Sequence, residues 1–100
     1  MSRRRRYDVV HCTVAGHVRY GLIVTLDTGE RGWIEEDRIR DDRSVDRVRW
    51  PAAGTQVDAV VLGVLKSGRV CLCSMPSYVE VIRHAIDPDA SARAWALARN

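Results

Sequence analysis

The sequence lacks the long apolar segments of membrane proteins, and it lacks the signal peptide and the even number of cysteines typical of secreted proteins. No apolar run approaches the roughly 18 residues of a membrane-spanning helix. The arginine run at residues 3–6 is followed by a β-like segment, not by the apolar core of a signal peptide. The chain has only three cysteines, an odd number that cannot all pair within one chain. Cys71 and Cys73 are also too close along one extended strand for an unstrained bridge. We therefore expect a cytoplasmic protein with reduced thiols and no membrane partner.

The length and charge of the chain narrow its class further. One hundred residues fit one small domain, and this length argues against a large enzyme. With 46% hydrophobic and 29% charged residues, the chain has enough apolar surface to fold. The net charge is +3, but the four arginines at 3–6 leave residues 7–100 at −1. The basic tail either attracts phosphates without sequence selectivity or is a solvated end.

Five segments have the composition of β-strands. They are residues 9–18, 22–26, 32–34, 57–65 and 69–73. A turn at Gly29 predicts a hairpin of the second and third segments, and Ser67-Gly68 predicts a hairpin of the fourth and fifth. The densely charged residues 35–49 are expected to form a short helix or an ordered loop. Two hairpins split by such a connection predict a mainly β fold, a five-stranded barrel without exposed edges.

Beyond the last strand the apolar period becomes helical. Ser77 followed by Glu80 has the spacing of a capping box, which predicts Ser77 as the N-cap. A short second helix is expected to run through Trp95 and Leu97. The predicted organisation is a disordered basic tail (residues 1–8), a barrel (9–75) and a C-terminal helical extension (76–100). The helical stripe comprises Tyr78, Val79, Ile82, Ala85 and Ile86.

Several short motifs occur in a characteristic order. Tyr20-Gly21 is followed by Gly-Glu-Arg-Gly-Trp-Ile at 29–34, Gly-Thr-Gln-Val at 54–57, the apolar run 60–64 and Gly-Arg-Val-Cys-Leu at 68–72. This order resembles the RNA-binding domain repeated in ribosomal protein S-one, a subgroup of the oligonucleotide-binding (OB) fold. The resemblance covers about residues 9–75. It implies an S-one-type OB-fold barrel.

The resemblance also implies a site. The family binds single-stranded RNA by stacking bases on aromatic residues of strands two and three, beside basic side chains. Here Tyr20 and Trp33 are the candidate stacking residues, and Arg19, Arg31 and Arg69 are the candidate cationic contacts. The chain departs from the family pattern at four positions. Ile23 replaces a second aromatic residue, Glu35 a histidine, Leu65 an aspartate and Cys71 a cationic residue.

These departures support an alternative from another class, a protein-interaction module on a barrel that has lost its RNA-binding face. The −1 charge of residues 7–100 agrees with that alternative. The apolar residues of the C-terminal extension would then cover the barrel or a protein partner. These residues are Ile82, Ile86, Trp95 and Leu97.

The residues that could support catalysis or bind metal are poorly arranged. His11, His17 and His84 have no evident nucleophile with a matched orienting carboxylate, and no glycine-rich phosphate loop is present. The thiols and His11 carry zinc-ligand atoms, but no pair of Cys-x-x-Cys motifs exists. We therefore predict a non-enzymatic, nucleic-acid-binding β barrel without cofactor or metal.

Overall fold

The structure is a computed structural model that describes residues 5–86, except for the side chain of Ile86. Its strands are β1 (Val9–Val18), β2 (Gly21–Leu26), β3 (Arg31–Glu35), β4 (Gln56–Val64) and β5 (Val70–Cys73). Two short 3-10 helices, Glu36–Arg38 and Arg47–Arg49, lie between β3 and β4, and one α-helix, α1 (Pro76–Ile86), follows β5. The predicted second helix through Trp95 and Leu97 lies outside the described residues.

The strands close into a barrel in the order β1-β2-β3-β5-β4. All neighbours run antiparallel except β3 and β5, which are parallel. Both predicted hairpins are present, and β1 pairs with β4 to complete the ring. The prediction of a mainly β, five-stranded OB-fold barrel with a helical C-terminal extension is confirmed.

Glycine is required where β2 begins. A Cβ atom on Gly21 would lie 2.0 Å from the carbonyl oxygen of Ile34, a backbone atom that has little freedom to move. Gly21 pairs with Glu35, so β2 and β3 approach closely at this end of the hairpin. At the other end Gly29 has a φ of +90°, a conformation that glycine adopts without steric cost. These two glycines fix the hairpin that carries Trp33.

The barrel core follows strand alternation. Side chains at every second position point inward and are almost completely buried, as in Leu22, Val24 and Leu26 of β2. Trp50 joins this core from the β3–β4 connection, and its indole N–H donates to the carbonyl of Ser44. The ring of His17 meets Trp50 edge-on, with 5.6 Å between ring centroids. Trp50 is therefore a packing residue.

A second buried group lies outside the barrel core, on its outer surface. Val60 and Cys73 are partners in the β4–β5 register and are buried. Their neighbours Val61 and Leu72 point into the core, so strand alternation directs Val60 and Cys73 outward. Helix α1 packs against β4 and β1 and buries Val79. We attribute the burial of Val60 to α1, and that of Cys73 to α1 together with the β3–β4 connection, whose Arg38 and Asp41 act on its thiol. The outer surface of β1, β4 and the Cys73 end of β5 is called the covered face.

The start of α1 differs from the capping prediction. The helix begins at Pro76, which places Ser77 inside its first turn. Both the backbone N–H and the hydroxyl of Ser77 donate to the carboxylate of Asp41, from the β3–β4 connection. Glu80 pairs with Arg83 and His84 further along the helix. The predicted capping box is therefore wrong, because proline occupies the first helical position and a distant aspartate supplies the acceptor.

The N-terminal residues before β1 join the sheet. The N–H of Tyr7 donates to the carbonyl of Val61, and the N–H of Val61 donates to the carbonyl of Asp8. The backbone hydrogen bonding of the barrel thus includes two residues that the sequence analysis assigned to the tail. No helix within residues 5–86 is long and apolar enough to span a membrane.

Candidate nucleic-acid interface

The outer surface of β2, β3 and the Cys71 end of β5 is not overlaid by α1. Trp33 of β3 lies between Ile23 of β2 and Cys71 of β5 in the strand registers. All three side chains are partly exposed, and all three alternate with inward-pointing core residues. We call this surface, centred on Trp33 and bounded by Ile23 and Cys71, the open face.

A hollow of about 200 Å³ lies beside Trp33 on the open face. Glu35 and Arg38 stand at its polar side, with the Nε of Arg38 3.7 Å from Oε2 of Glu35. The apolar side includes Leu62, the unpaired residue of a bulge in β4. The hollow therefore combines an aromatic ring, an acceptor and a donor. Its lining residues are Trp33, Glu35, Arg38, Leu62, Cys71 and Leu72.

Two of the three predicted arginines lie at one end of the open face. Arg31 and Arg69 immediately precede Gly32 and Val70, which are partners in the parallel β3–β5 register. Both side chains are exposed. The structure therefore brings Arg31 and Arg69 to the adjacent starts of β3 and β5, two residues from Trp33 and Cys71 respectively.

The other two predicted residues lie at the opposite end of β3. Arg19 and Tyr20 form the turn between β1 and β2, and the Tyr20 carbonyl accepts the N–H of Glu36. This position is three residues along β3 from Trp33, about 10 Å at the rise of an extended strand. The Tyr20 side chain is 56% exposed, and the Arg19 guanidinium lies over its ring, 5.2 Å from the centroid. The rings of Tyr20 and Trp33 are thus two separate candidate stacking surfaces.

Sequence reasoning missed Arg38 and Leu62. The spacing of Glu35 and Arg38 was a usable signal for the first, since residues three apart meet where a strand passes into a helical turn. No sequence signal marks Leu62, because its place in the hollow depends on the β4 bulge. Three of the four departures from the family pattern, Ile23, Glu35 and Cys71, lie on the open face. The fourth, Leu65, lies in the β4–β5 turn and is 51% exposed.

The charged β3–β4 connection pairs internally. Arg40 donates to both carboxylate oxygens of Asp42, and Arg49 lies 3.8 Å from the same carboxylate. The hydrogen bond from Arg40, together with that from the backbone of Ser44, lowers the pKa of Asp42. These charges pair with one another and provide little net field for a phosphate.

Two adjoining hollows lie between α1, β4 and the β3–β4 connection. They measure about 510 Å³ and 320 Å³ and share Val57, Ser74 and Pro76. The larger also contains buried Trp50 and Ile39 beside charged Arg40 and Asp41. The smaller is bounded by Asp58, Glu80 and Arg83. Together they form a mixed apolar and charged groove, which we call the helix groove.

The ionic cluster at this edge of the covered face ties α1 to the barrel. Nδ1 of His11 lies 2.7 Å from Asp58 Oδ1, and Arg83 of α1 donates to Asp58 Oδ2 at 2.9 Å. The Asp58 carboxylate, and secondly Gln56, raise the pKa of His11. The same pairings, with His11 first and Arg83 second, lower the pKa of Asp58. Within the part of the chain that is described, no three His, Cys, Asp or Glu side chains are grouped to hold a metal ion.

Comparison with known proteins identifies the fold of this chain through similar solved structures. No protein-family model and no curated protein match the sequence. A chain of the a/eIF2alpha–aDim2p–rRNA complex from Pyrococcus horikoshii is similar over 74% of this chain and 46% of its own length, with a TM-score of 0.68 and 19% identity. GSP13 from Bacillus subtilis is similar over 76% of this chain and 59% of its own, with a TM-score of 0.67 and 22% identity.

The alpha subunit of aIF2 from Pyrococcus abyssi is a third structure of this kind. It has a TM-score of 0.62 and 21% identity, over 69% of this chain and 28% of its own. The chain thus spans between 28% and 59% of the length of these three proteins. Similarity at these identities concerns the fold, and it agrees with the strand order and closure described above. The chain is therefore a small five-stranded barrel with the OB fold.

Proposed function

We propose that this barrel binds single-stranded RNA on its open face, without a catalytic step. One observation carries the proposal: a tryptophan stands partly exposed on the strand surface that α1 and the rest of residues 5–86 leave uncovered, with two arginines where β3 and β5 begin. The fold supports it, since a similar chain was solved in a complex that contains rRNA. We also propose a cytoplasmic location, because the chain has an odd number of cysteines, which cannot all pair within one chain.

We expect the stacking of RNA bases on aromatic side chains to provide most of the binding affinity. A base that stacks on Trp33 gains about 1–3 kcal/mol, whatever its identity, because every base has a π-face. Arg31 and Arg69 then contact the phosphates on one side of that base. A second base stacks on Tyr20, on the ring face that Arg19 leaves free.

The open face carries little net positive charge, so we expect weak binding. Glu35 offsets Arg38 at the hollow and repels phosphate there. Ile23 provides apolar contact where a second aromatic ring would stack more strongly. The basic N-terminal tail adds affinity that depends on salt and not on sequence.

The test is fluorescence anisotropy with labelled single-stranded RNA over a salt series. Residues 1–100 are compared with residues 7–100, and each is compared with Trp33→Ala. We expect the tail to steepen the salt dependence, because phosphate contacts release counterions. We expect Trp33→Ala to weaken binding about tenfold in both lengths, which corresponds to the loss of one stacked base.

A matched control is Val81→Ala, which changes an exposed apolar residue on α1, away from the open face. Circular dichroism establishes that each variant folds. Binding that is unchanged by Trp33→Ala and by Arg69→Ala, or that is lost with the tail alone, contradicts the proposed site.

A second candidate function is supported by the helix groove. Its apolar floor and its charged rim of both signs suit a protein segment better than a nucleic acid. The test is a pull-down from RNase-treated lysate with the wild-type protein and with Arg49→Glu, a charge reversal at the rim. A stoichiometric protein that the wild type retains and the variant loses supports this function, and its absence counts against it.

A further inference from the structure

The carboxylate of Glu35 has no role in phosphate binding, yet it lies beside the best stacking residue of the chain. It is two residues from Trp33 on the same outer face of β3, and both line the same hollow. A base stacked on Trp33 places its hydrogen-bonding edge beyond the ring. The groups at the edge of the hollow are therefore positioned to contact that base edge.

Glu35 and Arg38 keep hydrogen-bonding capacity for a ligand. Their contact is a single approach of 3.7 Å through Nε, which is an ion pair and too long for a hydrogen bond. Both side chains are about half exposed, at 59% for Glu35 and 46% for Arg38. An ionised carboxylate only accepts and a guanidinium only donates. The hollow thus presents two acceptor oxygens next to a set of donors.

This array distinguishes the four bases. Guanine has two adjacent donors on its Watson–Crick edge, N1–H and the N2 amino group, followed by the acceptor O6. Two such donors match the two oxygens of a carboxylate, and a neighbouring guanidinium matches O6. Adenine and cytosine place one amino group beside a ring nitrogen acceptor, and uracil places one N–H between two carbonyl oxygens. Each of these three bases turns at least one acceptor toward the carboxylate.

We infer that the Trp33 hollow selects guanine, with Glu35 accepting from N1–H and N2–H and Arg38 donating to O6. The inference rests on the proposed function, because it needs a base stacked on Trp33. It adds that the barrel prefers RNA with an unpaired guanine. In this role Glu35 is a specificity residue, which explains a carboxylate at a position where phosphate binding alone would disfavour one.

The experiment uses four labelled heptamers of RNA, in which the central base of a uridine strand is guanine, adenine, cytosine or uracil. Dissociation constants are measured at one salt concentration for the full-length chain. We expect guanine to bind about fivefold more tightly than the others, the lower end of what a bidentate base contact provides. Glu35→Gln should abolish this preference, because an amide offers one acceptor in place of two.

Glu36→Gln is the matched control. It makes the same chemical change and the same loss of charge one residue away, in a side chain that does not line the hollow. A general electrostatic effect raises the affinity of both variants for all four heptamers. The inferred contact instead removes the guanine preference in Glu35→Gln and leaves it intact in Glu36→Gln.

The outcomes separate the two proposals. Equal binding of the four heptamers, with affinity still lost in Trp33→Ala, overturns the guanine inference and leaves RNA binding in place. A guanine preference that persists in Glu35→Gln overturns the inference as well. Binding that is absent, or indifferent to Trp33→Ala, overturns the proposed function and with it the inference.

Discussion

Two cysteines on one short strand have different surroundings. Cys71 and Cys73 both point outward from β5, because Val70 and Leu72, with which they alternate, point into the core. Cys73 is buried, opposite Val60 of β4, whereas Cys71 lies partly exposed beside Trp33. The boundary between the covered face and the open face therefore passes between two residues of β5.

This comparison shows how the outer surfaces of the barrel come to differ in exposure. Strand alternation directs side chains of every wall alternately into the core and out of the barrel, so alternation alone does not distinguish one wall from another. Helix α1 then breaks that equivalence by packing on β4 and β1, where His11, Asp58 and Arg83 hold it. Within the described residues 5–86, the opposite wall keeps Trp33, Arg31 and Arg69 exposed or partly exposed. Within residues 5–86, α1 thereby distinguishes the two walls by covering one of them.

The largest expected effect comes from a charge placed under the helix. Val79→Asp puts a carboxylate in a buried site without a partner, and we expect a loss of about 3–4 kcal/mol in the free energy of unfolding. For a domain of this size that lowers the melting temperature by roughly 15 °C. Val81→Asp is the control, since Val81 lies on the same helix with 63% of its side chain exposed. Equal losses in the two variants would show that α1 does not cover the barrel.

The second prediction concerns the reactivity of the thiols. Burial raises the pKa of the Cys73 thiol, which leaves less of the reactive thiolate. Cys71 should react with a maleimide first, on the order of a hundredfold faster than Cys73, which reacts only after local opening. Mass spectrometry of the peptides identifies the labelled residue. Val79→Asp should bring the rate of Cys73 close to that of Cys71, and similar rates in the unaltered chain would remove the distinction between the two faces.

The third prediction adds an aromatic residue to the open face. Ile23 is the partner of Trp33 in the β2–β3 register and is partly exposed. Ile23→Tyr should tighten binding of single-stranded RNA about fivefold, because it offers another stacking surface. Val81→Tyr introduces the same ring on α1 and should leave affinity unchanged. A similar gain in both variants would locate the binding away from the open face.

The smallest expected effect is the titration of His11 at the edge of the covered face. Its pKa is raised above the ordinary value of 6.5, mainly by the hydrogen bond to Asp58. The stabilisation it provides is therefore complete below about pH 6.5 and is lost as the pH rises through the raised pKa. Because the imidazole is exposed, we expect only a slight fall in melting temperature over that range. In an NMR titration, Asp58→Asn should lower the pKa of His11, and an unchanged pKa would contradict the pairing.

Much of the fold follows from local sequence. Gly29 and Ser67-Gly68 mark both hairpin turns, and the period-two alternation fixes which side of each strand points inward. The position of Trp33 on an outer surface follows from the same alternation, since Gly32 and Ile34 on either side are buried. The five candidate residues remain predictions as a binding site, although the structure places all of them at exposed or partly exposed positions.

The features that the sequence left unpredicted depend on distant contacts. Ser77 matches a capping box locally, but its actual partner is Asp41, which is 36 residues away. Asp58 and His11 are 47 residues apart and meet only because β1 pairs with β4. The burial of Cys73 and the exposure of Cys71 depend on where α1 lies. A local pattern does not contain this information.

The closure of the ring also determines how the barrel can be assembled. β1, β2 and β3 form a continuous meander whose two outer strands lack partners until the β4–β5 hairpin enters between them. During synthesis this gap stays open for the whole β3–β4 connection, and the meander alone exposes two strand edges prone to association. A cut within that connection divides the molecule into two fragments whose unpaired edges are mutually complementary. We therefore expect a fragment that contains β1–β3 and a fragment that contains β4 and β5 to reconstitute the barrel when they are mixed.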